Sequence, residues 1–110
     1  QFAYSDGDEE VSNYFSRYDN IKTIKGFIPD ALNQLPNLPI SFLHLDLNNA
    51  DAENASLMYF AERLIPGSII LFDDYGGHGG EEQALVHEKF AKLMNRDLLI
   101  LPTGQAIIIW

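Results

Sequence analysis

Ser68-Ile69-Ile70-Leu71-Phe72-Asp73-Asp74-Tyr75 is the stretch that decides the fold. Its apolar residues follow one another without alternation, the pattern of a strand buried on both faces. Two adjacent aspartates close it, and Gly76-Gly77-His78-Gly79-Gly80 opens behind them. Upstream, Ile40–Leu47 (ISFLHLDL) has the same character: apolar residues occupy both phases, apart from Ser41, His44 and Asp46. Two such strands, each closing on acid, belong to a parallel sheet whose functional rim lies beyond the carboxyl ends of its strands.

Helical patterns flank these strands. Asn48–Ala52 reads as a polar loop and Glu53–Leu64 as a helix with Leu57, Phe60, Ala61 and Leu64 on one stripe, stopped by Pro66-Gly67. Glu81–Asn95 reads as a second helix, with Val86, Phe90, Leu93 and Met94 inward. Leu98–Leu101 and Ala106–Ile109 read as strands around Pro102-Thr103-Gly104-Gln105, a connection of hairpin length. Toward the amino end, Ser5–Asp8 reads as a loop capping a helix on which Val11, Tyr14, Phe15 and Tyr18 recur, its aromatic stripe expected in the core. Ile21–Ile28 reads as a short strand ended by Gly26 and Pro29, and Asp30–Leu35 as one or two helical turns. The alternation predicts a single α/β domain over residues 1–110, with a mostly parallel sheet and a terminal antiparallel β-hairpin.

Composition narrows the function. The 110 residues carry 7 Lys and Arg against 16 Asp and Glu, a net charge of −9 with pI near 4.5. Such a chain repels phosphate backbones and anionic lipid, so neither nucleic acid nor membrane is an expected partner. Hydrophobic residues make up 46%, enough for a core and too many for a disordered acidic tail. No apolar run is long enough to span a bilayer. The absence of cysteine excludes disulfides, thiolate metal sites and cysteine nucleophiles. A signal-peptide pattern is also lacking, and a cytoplasmic location is expected. The chain starts at Gln1 and closes on the apolar Trp110, which suggests part of a larger protein.

Adjacent strands lie about 4.8 Å apart, so Asp46 and the Asp73-Asp74 pair can converge. Three clustered carboxylates repel one another, and the relief is a divalent, oxygen-preferring cation or protonation of one acid. Alternatively, the acids cap helices or pair with lysine. The Gly76–Gly80 loop lacks the lysine and Ser/Thr of a phosphate-binding loop, and Glu81 and Glu82 follow it, so a lid over the carboxylates fits better. His78 lies in that lid as a proton shuttle, a substrate contact or a solvated side chain. His44 is expected to make a core hydrogen bond and His87 to lie on the surface, with neither fixed as a metal ligand. No serine has nucleophile-elbow glycines around it, which argues against a serine hydrolase.

Four segments, in order, carry a resemblance: Lys25-Gly26-Phe27-Ile28-Pro29-Asp30-Ala31-Leu32, Phe42-Leu43-His44-Leu45-Asp46-Leu47-Asn48, Pro66-Gly67-Ser68-Ile69-Ile70-Leu71-Phe72-Asp73-Asp74-Tyr75-Gly76 and Leu101-Pro102-Thr103-Gly104-Gln105-Ala106. Together the chain resembles the carboxy-terminal half of a class I S-adenosylmethionine-dependent methyltransferase of the bacterial macrocin O-methyltransferase (TylF-like) group. The resemblance implies a Rossmann-like sheet and transfer of a methyl group to a hydroxyl of a sugar or natural-product acceptor. It further implies S-adenosylmethionine as cofactor and Mg²⁺, or another divalent cation, held by Asp46, Asp73 and Asp74. Asp46 would also help remove the acceptor's proton and meet the cofactor, and Gly26 and Phe27 would lie near the adenine.

Where the group often has an acid and then a tyrosine after the HLD segment, Asn48 and Ala50 stand here. The group's glycine-rich loop and ribose-binding acid have no counterpart in these residues. The fragment alone is therefore expected to be inactive and to bind the cofactor poorly. It is also expected to expose a strand edge beside Ile40–Leu47 and to form a homo-oligomer. The rival readings are a phospho-acceptor receiver domain, whose acidic pair would come before its LDL strand, and a non-catalytic interaction domain.

Overall fold

A computed structural model describes residues 5–76 and 80–110. The chain divides after Gln34 into two compact units, Gln1–Gln34 and Leu35–Trp110. The first contains helix α1 (Ser5–Phe15) and a short 3₁₀ helix over Asp30–Gln34. Residues 21–28, expected as a strand, are irregular, with a bend at Gly26 and a turn at Ile28, and join no ladder among the described residues. Gly26 instead sits against Ala31, where an added Cβ would come within 3.0 Å of the alanine Cβ. Tyr14 and Tyr18 are half exposed rather than core, with the Arg17 guanidinium over both rings.

The second unit is a four-stranded sheet: β1 (Ile40–Leu45), β2 (Leu64–Phe72), β3 (Leu99–Ile100) and β4 (Ala106–Ile109), in the order β1-β2-β4-β3. Helices α2 (Ala50–Phe60) and α3 (Glu81–Leu93) complete it. β1 and β2 run parallel, whereas β4 is antiparallel to both β2 and β3. The α/β class is as expected, but the sheet is mostly antiparallel rather than mostly parallel. The segment expected to add a parallel strand does not pair, which leaves the closing hairpin to supply two of the three ladders. β1 pairs on one side only among the described residues.

The core follows from register. Leu43, Ile70 and Ile108 face one another across three strands, as do Leu45, Phe72 and Ala106. All of these but Leu43, which is partly buried and packs against them, form the buried cluster with Leu64 of β2 and with Leu57, Phe90 and Ala91 from the helices. The opposite face is covered less than the apolar runs suggested: Phe42 is 57% and Ile109 55% exposed. β2 also begins earlier than expected, running through Pro66 and Gly67. A shift in the pairing, from Ile40 opposite Leu64 to Phe42 opposite Ile69, absorbs them. A proline has no N–H for the ladder, so it is tolerated where pairing is interrupted.

α2 starts before the predicted Glu53 because the Asn49 side chain caps it, accepting the Ala52 N–H at 2.9 Å. α3 stops at Met94. Asn95 takes a positive φ of 56° and the Arg96 N–H returns to the Ala91 carbonyl at 2.8 Å, a closing turn that asparagine tolerates. Of the predicted inward stripe of α3, Phe90 is buried and Val86 and Met94 pack against the core, but Leu93 is 64% exposed; Gln83, His87 and Ala91 are buried in addition.

Candidate functional site

The two acidic strand ends meet because β1 and β2 are parallel and end in register, Leu45 opposite Phe72. The Asp73 N–H donates to the Leu45 carbonyl at 3.0 Å, continuing the ladder one step past the strands. Asp46 and Asp73 therefore leave the sheet side by side. Ligating atoms of His44, Asp46 and Asp73 all lie within 4.8 Å of one another.

His44 is thus no core residue. It is exposed, on the sheet face opposite the helices, with Nε2 3.5 Å from Asp73 Oδ1. Its strand position, two residues before Asp46, puts both side chains on one face; that period-two spacing was the available signal.

Asp73 is held from the hairpin as well. The Gln105 side-chain N–H donates to Asp73 Oδ1 at 2.9 Å. The Gly76 N–H donates to the Gly104 carbonyl at 2.6 Å, an approach so close that a Cβ on Gly76 would come within 3.3 Å of Gly104 backbone atoms. The Gln105 hydrogen bond, then His44 and Asp46, hold the Asp73 carboxyl below its ordinary value, against a partly opposing desolvation. Gln105 lies in a motif visible in the sequence, but its reach to Asp73 depends on pairing between β2 and β4.

Asp74 behaves oppositely. Desolvation, then the charges of Asp46, Asp73 and Glu53, push its carboxyl up. Its Oδ2 is buried with no hydrogen-bond partner among the described residues. An orphaned carboxylate oxygen beside two further acids marks a place short of positive charge. Of the three acids the sequence singles out, Asp46 and Asp73 converge with His44, a set of oxygen and nitrogen donors that could hold a divalent cation, whereas Asp74 stands outside that group and feels it through charge.

Tyr75 donates to Glu88 at 2.5 Å, and this bond is the first cause holding its phenol above the ordinary value. His87, expected at the surface, is completely buried and bonded to Glu53. A polar cleft of about 240 Å³ opens two residues past Asp46, between the amino ends of α2 and α3, lined by Asn48, Asn49, Ala50, Asp51, Glu82 and Gln83. Gly26 and Phe27 belong to the first unit, with Phe27 64% exposed. His78 and the centre of the expected lid fall outside the described residues.

The fold has counterparts among solved O-methyltransferases. The chain matches the structure of the O-methyltransferase NovP with a TM-score of 0.76 at 17% identity, covering 93% of this chain and 44% of that one. It matches the apo structure of CalS11, a TDP-rhamnose 3'-O-methyltransferase of calicheamicin biosynthesis, with a TM-score of 0.64 at 22% identity, covering 94% and 47%. These likenesses define the fold, and the chain spans less than half the length of either protein.

The sequence decides the family. The model of the macrocin-O-methyltransferase (TylF) family matches residues 5–102, and the chain belongs to that family. No curated protein matches it. None of its described helices is long and apolar enough to cross a membrane.

Proposed function

We propose that this chain supplies the metal-binding and acceptor-binding half of an S-adenosylmethionine-dependent O-methyltransferase that acts on a hydroxyl of a sugar or related natural product. The observation that carries this reading is the convergence of Asp46, Asp73 and His44 at one rim, beside the unpartnered oxygen of Asp74. Family membership and the sugar acceptor named for CalS11 support the reaction class and the acceptor class.

Asp46, Asp73 and Asp74 would hold Mg²⁺ or a similar cation, with His44 and Gln105 steadying Asp73. A cation held there would lower the pKa of an acceptor hydroxyl. Asp46, exposed at the rim, would accept the proton of the acceptor hydroxyl, and S-adenosylmethionine would supply the methyl group. The asparagines and acids of the adjoining cleft offer donors and acceptors to further hydroxyls of the acceptor. The protein's main task is alignment of oxygen, carbon and sulfur.

Calorimetric titration with Mn²⁺ or Mg²⁺ tests the reading. The wild-type chain should bind one ion, and Asp73→Asn should weaken binding by about tenfold or more. Equal binding by the two proteins would leave a non-catalytic interaction domain as the better account.

A further inference from the structure

Beneath the rim lies a second group of ionisable side chains. Glu53 of α2 and His87 of α3 are both completely buried, with His87 Nε2 2.5 Å from Glu53 Oε1. This single hydrogen bond ties the two helices together. The other carboxylate oxygen, Oε2, accepts the N–H of Leu47 at 3.3 Å. The His87 ring stacks on Phe72, with centroids 4.0 Å apart and planes inclined by 28°.

The partners lie next to the rim. Leu47 directly follows Asp46, and Phe72 directly precedes Asp73. One buried pair thus grips the backbone beside one acid and the aromatic side chain beside the other. Both groups are polar and fully withdrawn from water, a cost that apolar residues of similar volume would not carry, so packing is a weak explanation for this pair. Nδ1 of His87 finds no partner among the described residues, a further cost of placing an imidazole here.

We propose that Glu53 and His87 are positioning residues that set the spacing between Asp46 and Asp73, and thereby the affinity of the rim for a divalent cation. The inference rests on the metal-binding reading above. α2 and α3 carry none of the three acids, yet through this pair they fix where two of them stand. The Glu53 charge also reaches Asp74, adding to the negative potential that attracts a cation.

Mn²⁺ binding, read by the loss of the free-ion electron paramagnetic resonance signal, separates positioning from stability. The double substitution Glu53→Met with His87→Phe keeps the volume and the stacking on Phe72 but removes the acceptor for Leu47. It should fold with a thermal midpoint near or above that of the wild type and bind Mn²⁺ about tenfold more weakly. Glu53→Gln serves as the second variant. Its amide can accept from Leu47 or from His87 but not from both, so it should show a smaller loss, on the order of threefold. Wild-type affinity in either folded variant would overturn the inference while leaving the metal site standing. Failure of the wild type itself to bind, with Asp73→Asn no different, would remove the metal reading and this inference with it.

Discussion

At the scale of single residues, Asp73 and Asp74 show how neighbours with the same chemistry acquire opposite character. Asp73 accepts a hydrogen bond from Gln105 and lies beside His44, so its ionised form is favoured. Its contribution to stability is present above the ordinary carboxyl value of 3.8 and is lost as pH falls through its lower folded value. Asp74 is raised, first by desolvation and then by Asp46, Asp73 and Glu53. The folded chain therefore holds its proton longer than the unfolded chain, and stability declines as pH rises above 3.8 through the raised folded value. Asp74→Asn should accordingly stabilise the metal-free protein at neutral pH. Removing about 1 kcal/mol of like-charge repulsion corresponds to a rise of roughly 4 °C in thermal midpoint. The gain should shrink toward pH 3.8 and vanish when a divalent cation is added to the wild type, both measurable by scanning calorimetry. A variant no more stable at neutral pH would show that Asp74 bears no unrelieved charge.

At the scale of elements, what the sequence reveals depends on whether a signal is local. β4 forms over the predicted Ala106–Ile109, and β1 within the predicted Ile40–Leu47, because an apolar run between polar turns is a local feature. The start of α2 is misplaced by three residues: Asn48-Asn49 reads as loop, yet Asn49 is the cap. The cap can be measured. Asn49→Ala should cost about 1 kcal/mol in urea unfolding, through the lost acceptor for the Ala52 N–H. An unchanged midpoint would mean that the first turn is held by packing alone. His87 was misread because a histidine in a helical pattern looks polar. Its burial is decided by Glu53, 34 residues away in sequence, and no helical period carries that information. The same holds for Gln105 and Asp73, joined across 32 residues. Asp46, Asp73 and Asp74 were visible as candidates because each ends an apolar run. His44 could be placed beside Asp46 from its spacing, whereas the contacts of Gln105 with Asp73 and of Glu53 with His87 exist only through the pairing of strands and helices.

At the scale of the whole molecule, the family assignment and the length of the chain must be read together. Residues 5–102 match the family, while the chain covers only 44% and 47% of NovP and CalS11. The glycine-rich loop and ribose-binding acid expected of the cofactor pocket are not found in these residues. The 110-residue chain alone should therefore show no low-micromolar affinity for S-adenosylmethionine in calorimetry, even where Mn²⁺ binds. Tight cofactor binding by this chain would place the pocket within it and revise the division of labour proposed here. The hydrogen bond from Gln105 to Asp73 has a consequence for biosynthesis. A ribosome delivers the Asp46 and Asp73 strands first, and the amide that steadies Asp73 emerges 32 residues later. During that interval the nascent rim has its carboxylates but not this donor. If the rim holds an ion as proposed, its capture should wait for release of the closing hairpin from the exit tunnel rather than follow the earlier pairing of the acidic strands.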